Sequence, residues 1–162
     1  MTKPVIIADS GPLIALSIID RLELLPALYH RVVVPTAVWD EVTVHGRGLP
    51  GADAVSRLTW PEVMAPDPRT LKPLSILVDP GEAEAIALAL DLPDSTVLLD
   101  DSRARRVAER FGIQRIGTVG LLRKAKRAGL VPIIRPLIEE LQNNGIYLRR
   151  ELIEAVLRDV GE

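Results

Sequence analysis

The sequence predicts an α/β fold with a central, mostly parallel sheet. Two observations carry this. Short apolar, β-branched runs recur along the chain: "VIIA" after Pro4, "VVV" at 32–34 and "TVLL" at 96–99. Between them lie longer segments with helical spacing of apolar residues, and strands alternating with helices build parallel sheets.

Residues 4–8 read as a buried strand bounded by Pro4 and the Ser10–Gly11–Pro12 turn. Pro12 suits the first turn of a helix. The Leu- and Ile-rich segment 12–29 forms one or two helices, interrupted near Pro26. Val32 to Val34 is the second strand. "TAVWDEVTVHG" follows Pro35 as a helix stopped by Gly46. Residues 46–78 are the least regular, with Pro50, Pro61, Pro66, Pro68 and Pro73, and are expected to be loops. A short helix over Ala52 to Thr59 and a strand at "EVMAP" fit within them.

Asp79 then starts a strong helix. It is a good N-cap, Pro80 fits the first helical position, and Glu82 stands three residues beyond the cap. "TVLLD" is a strand, "SRARRVAERFG" a helix stopped by Gly112, "QRIGT" a short strand, and "VGLLRKAKRAG" a helix ending at Gly129. Two further helical patterns cover about 133–143 and 149–160, separated by "NNGIY". Residues 1–130 are the expected main domain. Residues 131–162 are a helical extension expected to pack on it.

Composition narrows the chemistry. The 162 residues fit one domain, and 48% hydrophobic content supports a core. With two Trp, two Tyr and one Phe, that core must be mainly Leu, Ile, Val and Ala. Cys is absent, which excludes disulfides, thiolate zinc sites and a cysteine nucleophile. His30 and His45 lie in no recognisable ligand spacing. A net charge of −2 gives no bulk attraction for nucleic acid and leaves local patches to decide. The N-terminal apolar run is too short for a signal peptide, and no run reaches the ~20 apolar residues of a membrane span. A cytoplasmic protein is expected.

In open parallel sheets the functional crevice lies at the carboxyl ends of the strands, where strand order reverses. Asp9, Asp100 and Asp101 all stand at such ends. Carboxylates gathered there repel unless a positive charge sits between them. With no Cys and few His, a hard divalent cation such as Mg²⁺ or Mn²⁺ suits them. Each acid also has a simpler role. Asp9 suits the cap of the helix near Pro12, and one of Asp100 and Asp101 suits the cap of the next helix. Glu41 fits a solvated flank beside Val38 and Val42. Glu82 fits a capping box with Asp79, and Glu84 fits a solvated helix face.

Some rival folds lack their signatures. A receiver domain needs paired acids after its first strand and a lysine after its last. A dehalogenase-type phosphatase needs Asp-x-Asp where this chain has Asp9-Ser10-Gly11. A dinucleotide-binding domain needs Gly-x-Gly-x-x-Gly, which "DSGPLI" lacks.

The pieces "IADSGPLIAL", "VVVPTAVWDEV", "DPGEAEAIALAL", "LLDDSRARRVAERFGI" and "IGTVGLLRKAKRAGL", in this order, resemble the PIN-domain nucleases, and closely their VapC-like toxin branch. The C-terminal tail resembles that branch too, so the likeness spans nearly the whole chain. It implies a three-layer α/β/α core and a Mg²⁺- or Mn²⁺-dependent ribonuclease. By its pattern the metal-binding, catalytic acids are Asp9, Glu41, Glu84 and Asp101. Glu82 competes with Glu84 for the third place. The two lie roughly 200° apart around a helix, so they cannot both face the crevice. Glu84, in "EAIALA", matches the family pattern better, and capping occupies Glu82. The family's Thr-x-Asp strand end appears here as "LDD", with Leu99 for threonine. That register favours Asp101 for metal and leaves Asp100 to cap or adjust the field. Ser10 and Thr118 offer hydroxyls at the same edge.

The basic clusters at Arg103, Arg105 and Arg106 and at Arg123, Lys124, Lys126 and Arg127 are the candidates to grip RNA, Arg103 foremost as the nearest to the acids. The resemblance also implies a cognate antitoxin protein covering the site and a homodimer. A catalytically weak PIN scaffold acting as a regulatory module is the alternative.

Overall fold

The computed structural model describes residues 4–162; residues 1–3, which open the expected main domain, lie outside the described residues. Five strands form one sheet: β1 (Val5–Ala8), β2 (Arg31–Pro35), β3 (Glu62–Met64), β4 (Ser95–Leu98) and β5 (Gln114–Ile116). Their spatial order is β3-β2-β1-β4-β5, and every pairing is parallel. Strand order reverses between β1 and β4. Ala8 is in register with Leu98, and the Asp9 amide donates to the Leu98 carbonyl at 3.1 Å. The residues that follow β1 and β4 therefore leave the sheet side by side, at the switch point.

The sheet is covered on both faces, which makes a three-layer α/β/α sandwich. Ile6, Ala8, Val32, Val34 and Leu98 point into one core with Leu13, Leu16, Leu121 and Leu122. Ile7, Val33, Val97 and Leu99 point into the other with Leu74, Ile86, Leu88 and Ala104. Burial on both faces is why these strands are apolar without alternation.

The first layer holds α1 (Ser10–Ile18), α2 (Leu24–Leu28), α8 (Thr118–Arg127), α9 (Arg135–Asn143) and α10 (Arg150–Asp159). The second holds α5 (Pro68–Leu74), α6 (Pro80–Asp91) and α7 (Ser102–Arg110). α3 (Thr36–Asp40) continues directly into a π-helical turn, Glu41–His45, and α4 (Ala52–Ser56) follows. Gly46 closes the π turn. A Cβ there would lie 2.6 Å from the Val42 carbonyl oxygen, so no side chain fits.

Leu137, Ile138, Leu141, Val156 and Leu157 of the last two helices enter the first core. Glu162 ties them down. Its carboxylate accepts from the Ile134 and Arg135 amides at 2.9 and 3.0 Å and from Lys126 Nζ at 2.8 Å. Burial pushes its pKa up, but these donors override that and bring it down to about 2.

Three elements differ from expectation. The break expected near Pro26 falls earlier, at Asp20, whose backbone is left-handed with φ 54°. Pro26 instead sits in the first turn of α2, where its missing N–H would have no intrahelical partner. A helix, α5, stands where only loop was expected. Asp67 caps it by accepting from the Arg69 amide at 2.9 Å, and Pro68 opens it. The helix expected over 52–59 ends at Ser56.

Candidate active site

Asp9 follows β1 and is 6% exposed. Its Oδ1 has no hydrogen-bond partner. Its pKa is pushed up to about 7. Burial is the main cause; the Ser10 amide works against it, and the charges of Glu82, Glu41 and Asp100 add to it. A buried, unpartnered carboxylate that feels the charge of three others is a place that lacks a positive charge.

Glu41 reaches the same place from the start of the π turn. Val38 and Val42, both buried, anchor its helix against the core and leave Glu41 on the flank. The first turn of α6 lies between them. Gly81 is buried there, and a Cβ on it would stand 3.1 Å from Glu41 Oε2, 3.1 Å from Val38 Cγ2 and 3.6 Å from Asp9 Oδ1. The absence of a side chain at 81 lets α6 approach while the two carboxylates share one space.

Glu82, the next residue, is half-buried. Its Oε1 accepts from the Asp79 amide at 3.3 Å, the capping contact expected from the sequence. Its pKa is pushed up to about 6, by burial first and then by the charge of Asp101, with the Asp79 amide opposing. Glu84 has one oxygen held at α3. Its Oε1 accepts from the Ala37 amide at 3.0 Å, satisfying a free donor at the start of α3, where Pro35 has no side-chain acceptor to offer. The charge of Glu82 is thus felt at Asp9 and coupled to that of Asp101, while Glu84, the acid that the family pattern favours, is held by one oxygen at the start of α3. The capping contact engages only one carboxylate oxygen of Glu82, as the Ala37 contact engages only one of Glu84.

Both aspartates after β4 hold helix ends. Asp101 Oδ2 accepts from the Ala104 amide at 2.9 Å and caps α7, and the charge of Asp101 bears on Glu82. Asp100 accepts from the Thr118 amide at 2.8 Å and from the Thr118 hydroxyl at 2.5 Å, so both its oxygens serve α8. Gly117 permits this approach, since a Cβ there would lie 2.9 Å from Asp100 Oδ1. Thr118 is fully buried, and its hydroxyl faces Asp100. Ser10 is half-buried at the start of α1 and acts on Asp9 through its amide.

The basic residues divide. Arg103 is exposed and does not line the cleft beside the acids. Arg105, Arg106 and Arg123 do, joined by Arg115, Arg149 and Tyr147, which no sequence spacing singled out. Among the described residues no three carboxylate or imidazole groups converge into a ready-made metal cage. Yet the chemistry of the set fits a hard cation: oxygen donors only, one of them buried and orphaned. Mg²⁺ needs one or two protein carboxylates and keeps several waters, so a closed cage is not required.

A doubly covered parallel sheet brings these carboxylates to its switch point, the edge where open α/β sheets bind their ligands. A family model described as a PIN domain matches residues 5–162, and the chain belongs to that family. PIN domains are generally nucleases. No curated protein matches at significance. Among the described residues no helix is long and apolar enough to cross a membrane.

Proposed function

We propose that this protein is a metal-dependent endoribonuclease, the VapC-like toxin of a toxin–antitoxin pair, working in the cytoplasm. The observation that carries the reading is the buried, orphaned Oδ1 of Asp9, whose carboxylate feels the charges of Glu82, Glu41 and Asp100. Asp9, Glu41, Glu82 and Asp101 would hold the Mg²⁺ or Mn²⁺. Glu82 takes the place that the family pattern alone would give to Glu84. When bound, such a cation makes a water acidic enough to attack a phosphodiester and offsets the charge that develops.

The chain's own residues set up that chemistry. Burial of Asp9 keeps its lone pair out of bulk water and available to a cation. The amides of Ser10 and Ala104 orient Asp9 and Asp101. Gly81 keeps the space between Asp9 and Glu41 clear. Asp100, held on Thr118, adds negative potential without facing the centre. An antitoxin that places a cationic side chain among these acids would silence the site by supplying the charge it lacks. A homodimer is part of the same proposal; the Leu13, Leu16 and Leu25 side chains of α1 and α2 are buried in the first core.

The test is cleavage of pooled, labelled RNAs in Mn²⁺, Mg²⁺ or EDTA, comparing wild type with Asp9→Asn. Cation-dependent cleavage lost in the variant supports the reading. The second reading, a catalytically weak PIN scaffold used as a regulatory module, draws on the lack of a ready-made cage. Binding of Mn²⁺ through Asp9 with no turnover on any RNA would favour it.

A further inference from the structure

The segment 145–149, between α9 and α10, is a thin wall separating two hollows. On one side is a cleft of about 890 Å³ that opens at Asp100 and Asp101. On the other is a groove of about 650 Å³ lined in part by Ile146, Ile153 and Leu157. Tyr147 and Leu148 line both. Little holds the wall in place. Ile146 to Arg149 adopt no regular structure, and among the described residues the Tyr147, Leu148 and Arg149 amides have no hydrogen-bond acceptor. Arg149 gives α10 no side-chain cap, and Tyr147 is 85% exposed. The wall begins at Gly145, whose backbone is left-handed at φ 84° with nothing packed within 4 Å of its Cβ position. The firm anchors lie at the far end of α10. There Asp159 meets Arg123 at 3.4 Å and also Arg127, and Glu162 meets Lys126 at 2.8 Å.

Charge pushes on this wall. Arg149 lines the cleft together with Arg105 and Arg115, and among the described residues it has no carboxylate partner. The Arg105 guanidinium is held below its usual pKa, by burial first and then by the like charge of Arg115; Asp100 opposes, and Arg149 adds to the repulsion. The wall thus has a like charge in front of it and an empty groove behind it. Hinges are short segments at the ends of elements that absorb backbone rotation, and weakly held segments open ahead of the core. We propose that residues 145–149 are a gate, pivoting at Gly145 and at the start of α10, which moves from the cleft into the groove beside α9 and is driven open by repulsion between Arg149 and Arg105. Opening widens the approach to Asp100 and Asp101. Arg149 is exposed, so salt screens the repulsion and returns the wall to its place against the cleft. The proposal rests on the nuclease reading only for what the gate admits.

The chain has no cysteine, so a pair of introduced thiols carries spin labels at two known places. Tyr147→Cys with Arg103→Cys, both exposed, reads the distance from the wall to α7 by pulsed dipolar spectroscopy. Arg103→Cys with Asp53→Cys, exposed on α4, is the reference pair away from the wall. The measurements are made without RNA or metal. The wall pair is expected to show two distances at low salt. The longer should lose about tenfold in relative population as salt rises from roughly 0.02 M to 0.5 M. Adding Arg149→Ala should leave the shorter distance alone at every salt, and Arg149→Lys should restore both. The reference pair should keep one distance throughout. A single wall distance at every salt overturns the proposal, as does a longer distance that salt or Arg149→Ala leaves undiminished, that Arg149→Lys fails to restore, or that the reference pair follows. A gate that moves in a protein that cleaves no RNA keeps this proposal and loses the nuclease. A fixed wall in a protein that cleaves RNA does the reverse.

Discussion

Asp9 Oδ1 and Glu41 Oε2 face each other across a backbone position, Gly81, that has no side chain to separate them. One is buried and unpartnered, and the other reaches in from a π-helical turn. Their separation in sequence is bridged by the β1–β2 pairing and by the close approach of α6. π turns recur at functional sites because they re-aim a side chain without ending a helix.

Gly81→Ala tests that gap. The new methyl would meet Glu41 Oε2 and Val38 Cγ2 at 3.1 Å each, tighter than ordinary contact. Ala is the better helix former by up to about 1 kcal/mol, while overpacking costs typically 1–3 kcal/mol. The expected result is a protein of similar or slightly lower melting temperature whose Mn²⁺ affinity falls about tenfold, read by calorimetric titration.

Glu82→Gln and Glu84→Gln separate the two neighbours. Glu82→Gln is expected to reduce Mn²⁺-dependent cleavage by roughly 100-fold or more, while its unfolding midpoint moves little, since glutamine retains the capping acceptor. Glu84→Gln keeps the acceptor for Ala37 and should retain activity within a few fold. Glu84→Ala removes it and is expected to cost about 0.5–2 kcal/mol, measured by urea unfolding.

Asp9 gives a pH signature. Its pKa rises from 3.8 to about 7 on folding, so the folded state binds the extra proton between those values. Stability from this group is full below pH 3.8 and is lost as pH rises toward 7, on the order of 4 kcal/mol in all. The stability of wild type minus that of Asp9→Asn, measured in the absence of metal, should therefore fall across that window and level off above it. Saturating Mn²⁺ at pH 8 should raise the wild-type melting temperature and leave Asp9→Asn unmoved.

Asp100→Ala removes both acceptors of Thr118, at the start of α8. The expected loss is about 1–3 kcal/mol, because a buried hydroxyl and an amide lose their partner together. Asp100→Asn should recover part of it. Thermal melts of the two variants check the order.

The strands were legible because burial on both faces demands uninterrupted β-branched runs, as in Ile6–Ile7 and Val32–Val34. α5 was not read, because Pro73 inside it and the surrounding prolines mask the local signal of Asp67 and Pro68. The acids at the ends of β1 and β4 were legible from strand ends alone. The choice between Glu82 and Glu84 was not. It depends on how α6 sits against α3, and contacts such as Glu84–Ala37 span a large stretch of chain. Arg115, Tyr147 and Arg149 carry no common periodicity and come together only when the C-terminal helices fold back on the first core.

Calorimetric titration of Mn²⁺ at pH 8 into wild type, Asp9→Asn, Glu82→Gln and Glu84→Gln tests the central claim most directly. The account predicts binding by wild type and Glu84→Gln, and loss in Asp9→Asn and Glu82→Gln. Binding that survives in Glu82→Gln but disappears in Glu84→Gln, or no binding by wild type, would contradict it.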